Sequence, residues 1–157
     1  MRLSCRALAV LVWLLSASAP LAALDLRVGT GAGCTHATLV DAFNAIRAQT
    51  GSHTVRINKG VYAVPDGLVY TPTVNQTAVF LEGGYASCTA GAPSGSTSTD
   101  ADRAVFDGAG GSAASVLSLV INGRVGTFQI RRVVLKGGDT TTSGGGLQVI
   151  GDASVLI

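Results

Sequence analysis

Apolar residues recur at two different periods along this chain. Only the segment after Thr38 has a helical one: Leu39, Ala42, Phe43 and Ile46 fall at helical spacing, and Asp41 stands three positions after the capping Thr38. Gly51 stops the run, and the single apolar stripe means that this helix must lie on something. Beyond Gly51 the runs are short and of β type: HTVRIN (53–58), Val69-Tyr70 after a Pro-Asp-Gly turn, AVFL (78–81), SVLSLVI (115–121), TFQIRRVVL (127–135), GLQVI (146–150) and ASVLI (153–157). Leu117, Leu119 and Ile121 share one face of their strand, with Ser118 and Val120 on the other. Phe128 and Ile130 also share a face, but the inward phase then passes to Val133 and Leu135. Arg131 and Arg132, at that break, mark a corner between strands where both side chains reach water.

The ends of these runs repeat. Ile57-Asn58-Lys59-Gly60, Leu81-Glu82-Gly83-Gly84, Phe106-Asp107-Gly108 and Leu135-Lys136-Gly137-Gly138 each pass from an apolar residue through polar ones into glycine, at intervals of 23, 25 and 29 residues. Repeats of this length without a helix in each predict a solenoid of β-coils, in which every strand pairs with its equivalent one coil away. A sandwich or barrel is the competing all-β architecture, but the hairpin dipeptide Asn-Gly occurs only at Asn122-Gly123. The Ser-, Thr-, Ala- and Gly-rich stretch 87–102 reads as a surface excursion from one coil.

The first residues form an address rather than part of the fold. Arg2 and Arg6, the apolar run Ala7 to Leu15 and the small residues 16–23 are the three parts of a secretory signal peptide, expected to occupy residues 1–23 with cleavage after Ala22 or Ala23. The apolar run is shorter than the roughly 20 residues of a bilayer span, so no transmembrane helix is expected in the mature chain. Its removal takes Cys5 away and leaves Cys34 and Cys88 as an even pair bound for an oxidising compartment. A disulfide between them is the preferred reading, adding about 4 kcal/mol in the chain-entropy model; two buried free thiols are the alternative.

Composition narrows the partners. Apolar residues make up 47% of the 157, enough for a core, while 13% are charged and 5% aromatic, which suits neither an electrostatic grip on nucleic acid nor a base-stacking surface. The net charge of +2 resides in Arg2 and Arg6, so the mature chain is neutral. The 21 glycines, without a three-residue period, fit many turns between strands.

The order Gly33-Cys34, helix, Lys59-Gly60-Val61-Tyr62, then Leu81-Glu82-Gly83-Gly84-Tyr85 with a cysteine soon after, then Val105-Phe106-Asp107-Gly108, resembles the N-terminal part of secreted bacterial right-handed parallel β-helix proteins. These are pectin-lyase-like in fold and similar in pattern to polymorphic outer-membrane and autotransporter-like passengers. Ser143-Gly144-Gly145-Gly146-Leu147-Gln148-Val149 resembles their coil repeat. The resemblance implies an all-β, right-handed parallel β-helix over residues 24–157, with residues 38–50 as an N-terminal cap and the cysteine pair tying that cap to an early coil. Val155-Leu156-Ile157 reads as a strand in mid-coil with nothing to blunt its edge, so a longer protein, or pairing of the last coil with another chain, is expected.

Candidate chemistry is sparse. Asp100, Asp102, Arg103 and Asp107 are the nearest to a calcium-binding or acid–base cluster, and Asp-x-Asp-Arg in such a stretch is more often a solvated turn. The Asn-Thr-Asp, Asp-Asp, Gly-His-Gly and Arg-Ile-Lys signatures of the polygalacturonase branch are absent. His36 and His53 flank the helix without Cys or carboxylates at metal spacing. Residues 29–33 lack the Gly-Lys-Ser/Thr element of a phosphate loop and read as a flexible lead into the first coil; Gly144-Gly145-Gly146 reads as a turn. No Gly-x-Ser-x-Gly elbow occurs. No catalytic, cofactor or metal residue is therefore assigned. The expected function is a secreted or cell-surface structural or adhesion segment that contacts glycans or cell-surface proteins. The alternative is the N-terminal portion of a polysaccharide lyase or glycoside hydrolase whose active coils lie beyond Ile157.

Overall fold

The computed structural model describes residues 23–95, 99–108, 115–138, 145–152 and 154–157. The expected signal segment therefore lies, Ala23 apart, outside the described residues, as do Ser143 and Gly144 of the later glycine run. Among the described residues eleven strands and one α-helix follow in order: β1 (Leu24–Val28), α1 (Leu39–Ile46), β2 (Gly51–Asn58), β3 (Gly60–Ala63), β4 (Leu68–Tyr70), β5 (Gln76–Tyr85), β6 (Ala104–Asp107), β7 (Leu117–Val120), β8 (Val125–Arg131), β9 (Val133–Lys136), β10 (Leu147–Ile150) and β11 (Ser154–Leu156), with a 3-10 turn at Asp100–Asp102 before β6. The chain is thus mainly β, as its runs predict.

The strands form three sheets, ordered β1-β2-β5-β8-β11, β3-β6-β9 and β4-β7-β10, and every described strand pair is parallel. Leu24, His53, Val79, Phe128 and Val155 are successive partners in the first sheet, so the chain returns to it after 29, 26, 49 and 27 residues. The long return contains the expected excursion, residues 87–102. Asn122 and Gly123 both adopt positive φ, but this turn passes the chain from β7 in one sheet to β8 in another rather than closing a hairpin.

Register builds the core. Leu26, Val55, Leu81 and Ile130 form a second inward row of the first sheet; Tyr62, Phe106 and Leu135 line up in the second sheet, and Leu68, Leu117 and Leu147 in the third. Residues of all three sheets and of α1 join one apolar cluster. The expected corner at the paired arginines is present: Arg132, at φ 54°, separates β8 from β9.

Three expectations need correction. Residues 29–33 do not lead into the first coil, because β1 precedes them; they turn the chain from β1 back along its edge, where Val28 bridges His36. The helix ends at Ile46, short of Gly51, since its last carbonyls are taken by side chains and loop amides of the sheets. The four-fold repeat mixes two corners. Phe106-Asp107 aligns with Leu135-Lys136 as expected, but Asn58 partners Tyr85 and Gly60 partners Ala104, so the glycines at 60 and 83 are not equivalent. A glycine marks a tight bend without saying which bend it is.

Gly83 shows what such a position demands. A Cβ there would lie 2.3 Å from the Arg132 carbonyl oxygen and 2.8 Å from Ala104 Cβ, a close approach of successive rungs that excludes a side chain. We expect Gly83→Ala to lower unfolding free energy by about 1–3 kcal/mol. Gly91→Ala, into open space at an ordinary φ, should be neutral or slightly stabilising. Denaturant unfolding of the two variants checks this, and equal effects would contradict the packing described.

Candidate functional site

The N-terminal end of the sheets is closed by α1. Thr38 caps the helix, its hydroxyl accepting from Asp41 N at 3.1 Å and donating to the Asp41 carboxylate at 2.7 Å. Leu39, Ala42, Phe43 and Ile46 are buried, and the Phe43 ring sits 4.8 Å from Tyr70, which in turn lies 5.7 Å from Phe128. At the helix C-terminus Gln76 Nε2 donates to the carbonyls of Ile46 (2.7 Å) and Gln49 (3.1 Å), and Gln76 Oε1 accepts from the Tyr70 hydroxyl. The fully buried His53 accepts from Leu24 N at Nδ1 (3.4 Å) and donates from Nε2 to Gln49 O (3.0 Å), which sets its tautomer. His53 is therefore a structural residue of the cap. His36 lies apart from it, its Nδ1 2.9 Å from the Thr35 hydroxyl.

Cys34 and Cys88 form a disulfide with Cα atoms 4.9 Å apart, joining the turn after β1 to the excursion. The same excursion is held by Arg132, which donates to the carbonyls of Ser94 (2.7 Å) and Gly95 (2.9 Å), and by the Lys59–Asp102 ion pair at 3.4 Å. Two of the three acidic residues singled out in the sequence, Asp102 and Asp107, are thus engaged in bracing. Asp102 holds Lys59, and Asp107 pairs with Lys136 across β6 and β9 at 3.2 Å. Asp100 opens the 3-10 turn and Arg103 follows it. Among the described residues no three His, Cys, Asp or Glu side chains gather as metal ligands.

Polar, charged and aromatic side chains converge instead on the outer face of the first sheet. Between the inward rows, register sets Arg27, Arg56, Glu82 and Arg131 in one outward row, and Asp25, Thr54, Phe80, Gln129 and Leu156 in the next. Arg56 pairs with Asp25 at 3.1 Å and stands over the Tyr85 ring, 5.7 Å from its centroid. Tyr85 donates to Glu82 at 2.6 Å, and Arg27 donates to the Cys88 carbonyl at 3.0 Å. Thr54, Phe80, Glu82, Gln129 and Arg131 border a shallow cavity of 160 Å³, with Phe80 36% exposed. Glu82 and Arg131 also border a wider cavity of 540 Å³, together with Arg103, Arg132 and Ile157.

The sequence gives none of the outer-row residues a site role: Arg131 reads as a corner residue, Glu82 as part of the repeat and Leu156 as part of an edge strand. They come from separate rungs and share no local motif. The available signal is that Asp25, Arg27, Arg56, Phe80 and Gln129 each stand between two inward apolar residues, as in Val55-Arg56-Ile57; Thr54, Glu82 and Arg131 lack it. The face can hold a ligand by ring stacking on Phe80 and by hydrogen bonds to Gln129, Thr54 and Arg131. Both of its acids are already engaged, Asp25 by Arg56 and Glu82 by Tyr85.

Burial, reinforced by the bond to Glu82 and its charge and partly offset by Arg56, pushes the Tyr85 hydroxyl up to about 12. Burial does the same for Tyr70, where the bond to Gln76 works the other way. Because both values are raised from 10.0, their contribution to stability is complete below pH 10 and is lost as pH rises from 10 toward 12. Denaturant midpoints measured against pH should show this alkaline fall, and ultraviolet titration should find Glu82→Gln ionising a tyrosine at lower pH than the parent; an unchanged titration would remove Glu82 from the network. Compared with known proteins, the chain matches no family model, no curated protein and no solved structure, so its function is argued from this geometry.

Proposed function

We propose that the chain is a right-handed parallel β-helix capped by α1, exported by its signal segment, that serves as a structural or adhesion scaffold. The outer face of its first sheet contacts glycans or cell-surface proteins. The observation that carries this reading is the row register: an exposed Phe80 flanked by Thr54, Gln129, Glu82 and Arg131, drawn from three consecutive strands of one parallel sheet. An aromatic ring between hydrogen-bonding side chains suits the apolar face and hydroxyl rim of a sugar. The prior commitment of Asp25 and Glu82 to Arg56 and Tyr85 supports contact over catalysis, since neither carboxylate is available as an unencumbered acid or base.

Export is supported by the disulfide, which suits an oxidising compartment, and by the start of β1 at Leu24, immediately after the expected cleavage region. Among the described residues no helix is long and apolar enough to cross a membrane.

The test is binding of the purified protein to immobilised neutral and uronate-containing polysaccharides and to intact cell envelopes. Binding should weaken about tenfold or more in Phe80→Ala and in Gln129→Ala, a loss of about 1.4 kcal/mol, with the thermal midpoint little changed. Release of unsaturated or reducing-end products from any of these polysaccharides would overturn the scaffold reading in favour of a lyase or hydrolase. Binding unaffected by either substitution would move the contact surface elsewhere.

A further inference from the structure

At the capped end the three sheet edges are covered unequally. Residues 35 and 36 take the edge of β1, Thr35 N and His36 N donating to Arg27 O and Gly29 N to His36 O, and α1 packs across β1 and β4. β3 has β6 as its only described strand partner. Gly60 N and Val64 N donate to Arg103 O and Asp107 O on that side. By alternation, the N–H and C=O groups of Val61 and Ala63 point to the other edge. Both residues are exposed, Val61 at 69%.

A groove runs along that edge. Residues 37–40, at the start of α1, face residues 62–68 across a cavity of 440 Å³ with Val40, Val64 and Pro65 on its walls and Phe106 beside Tyr62, the two ring centroids 5.4 Å apart. A second cavity, of 470 Å³, is bordered by residues 58–62 with Thr30, Ala37 and Ala86, and shares Ala37 and Tyr62 with the first. The two continue one another along β3, and both walls lie within residues 30–106. Lys59, at one end, is held by Asp102 at 3.4 Å. Asp66 is exposed at the other end, and no basic residue borders the cavity there. The helix start on the facing wall is already answered by Asp41 in its first turn.

We propose that this groove receives an extended segment of a partner protein, apolar at alternate positions and basic at the Asp66 end, which joins the second sheet as a strand beside β3. Three features select that occupant. The outward backbone groups of Val61 and Ala63 recur at the strand repeat, which another peptide backbone matches. The apolar walls receive every second side chain, the means by which an added strand gains specificity. The charge of Asp66 is answered by a base on the incoming segment. The groove shares no residue with the outer-face cavity, so the proposal is independent of any ligand bound there.

The probe is the labelled peptide acetyl-Lys-Val-Thr-Phe-Thr-Val-Lys-amide, titrated with the purified protein by fluorescence anisotropy, with amide hydrogen exchange of the complex followed by nuclear magnetic resonance. We expect saturable binding, with protection gained at Val61 and Ala63 and none gained in β8. Proline in place of the central phenylalanine should abolish binding, and glutamates in place of both lysines should weaken it about fivefold or more at low ionic strength. In the protein, Val40→Lys and Asp66→Lys, both at exposed positions, should each weaken binding about fivefold or more with little change in thermal midpoint, whereas Phe80→Ala should leave it unchanged. No binding at millimolar peptide, binding that survives the proline, equal binding of the acidic peptide, or protection gained away from β3 would each overturn the proposal. So would sedimentation velocity showing that two copies of the chain fill the groove between themselves.

Discussion

Parallel register is the constraint on which the rest of this molecule depends. A parallel strand cannot be closed by a tight hairpin, so the chain must travel away, through α1 between β1 and β2 and through the other two sheets thereafter, before it returns beside itself. Once it does, the identity of the residue above and below is set along the whole strand, because a slip by one position would turn the inward row outward. The rows Leu24–His53–Val79–Phe128–Val155 and Leu26–Val55–Leu81–Ile130 result from this. Returns as different as 26 and 49 residues are tolerated, since extra length is placed between β5 and β6 and between β6 and β7, where it does not enter the pairing.

The same constraint leaves one end of the three sheets, at β1, β3 and β4, without a further strand among the described residues. The solution is a short helix whose one apolar stripe closes the end and whose last carbonyls need partners in a dry setting. Gln76 from β5 donates to the Ile46 carbonyl and, together with His53 from β2, to that of Gln49 just beyond the helix, while Tyr70 from β4 donates to the Gln76 amide oxygen. A buried polar set of this kind holds only when complete; losing one member leaves a neighbour unpaired at about 1–3 kcal/mol. The polar residues under α1 are therefore what permits an apolar helix to end on top of the sheets.

Much of this was legible in the residues. Thr38 with Asp41 marked the helix start, alternation in Leu117-Ser118-Leu119 marked a half-buried strand, and the adjacent Arg131 and Arg132 marked a corner. β1 is not set apart by its pattern, because LDLRV directly follows the expected signal segment and its inward residues Leu24, Leu26 and Val28 fall within five positions. β3 is four residues long and carries no alternation strong enough to separate it from a loop. The outward rows could not be read, for a different reason. Arg56, Glu82 and Arg131 become neighbours only after a bulge near Arg56 and a long excursion have been subtracted from their spacing, and neither length is written in local pattern.

The excursion links the cap to the outer face. Arg27 and Arg56 are direct partners in register, so two like charges lie at strand spacing of about 4.8 Å. The arrangement holds because each guanidinium is drawn to a different acceptor: Arg56 to the Asp25 carboxylate, Arg27 to the Cys88 carbonyl. That second acceptor is placed by the disulfide from Cys88 to Cys34. The bond therefore does more than shorten the unfolded chain: it positions the carbonyl that lets Arg27 turn away, and so leaves Arg56 free to bridge Asp25 and the Tyr85 ring. The polar face of the first sheet is in this sense a product of the same loop that secures the capped end.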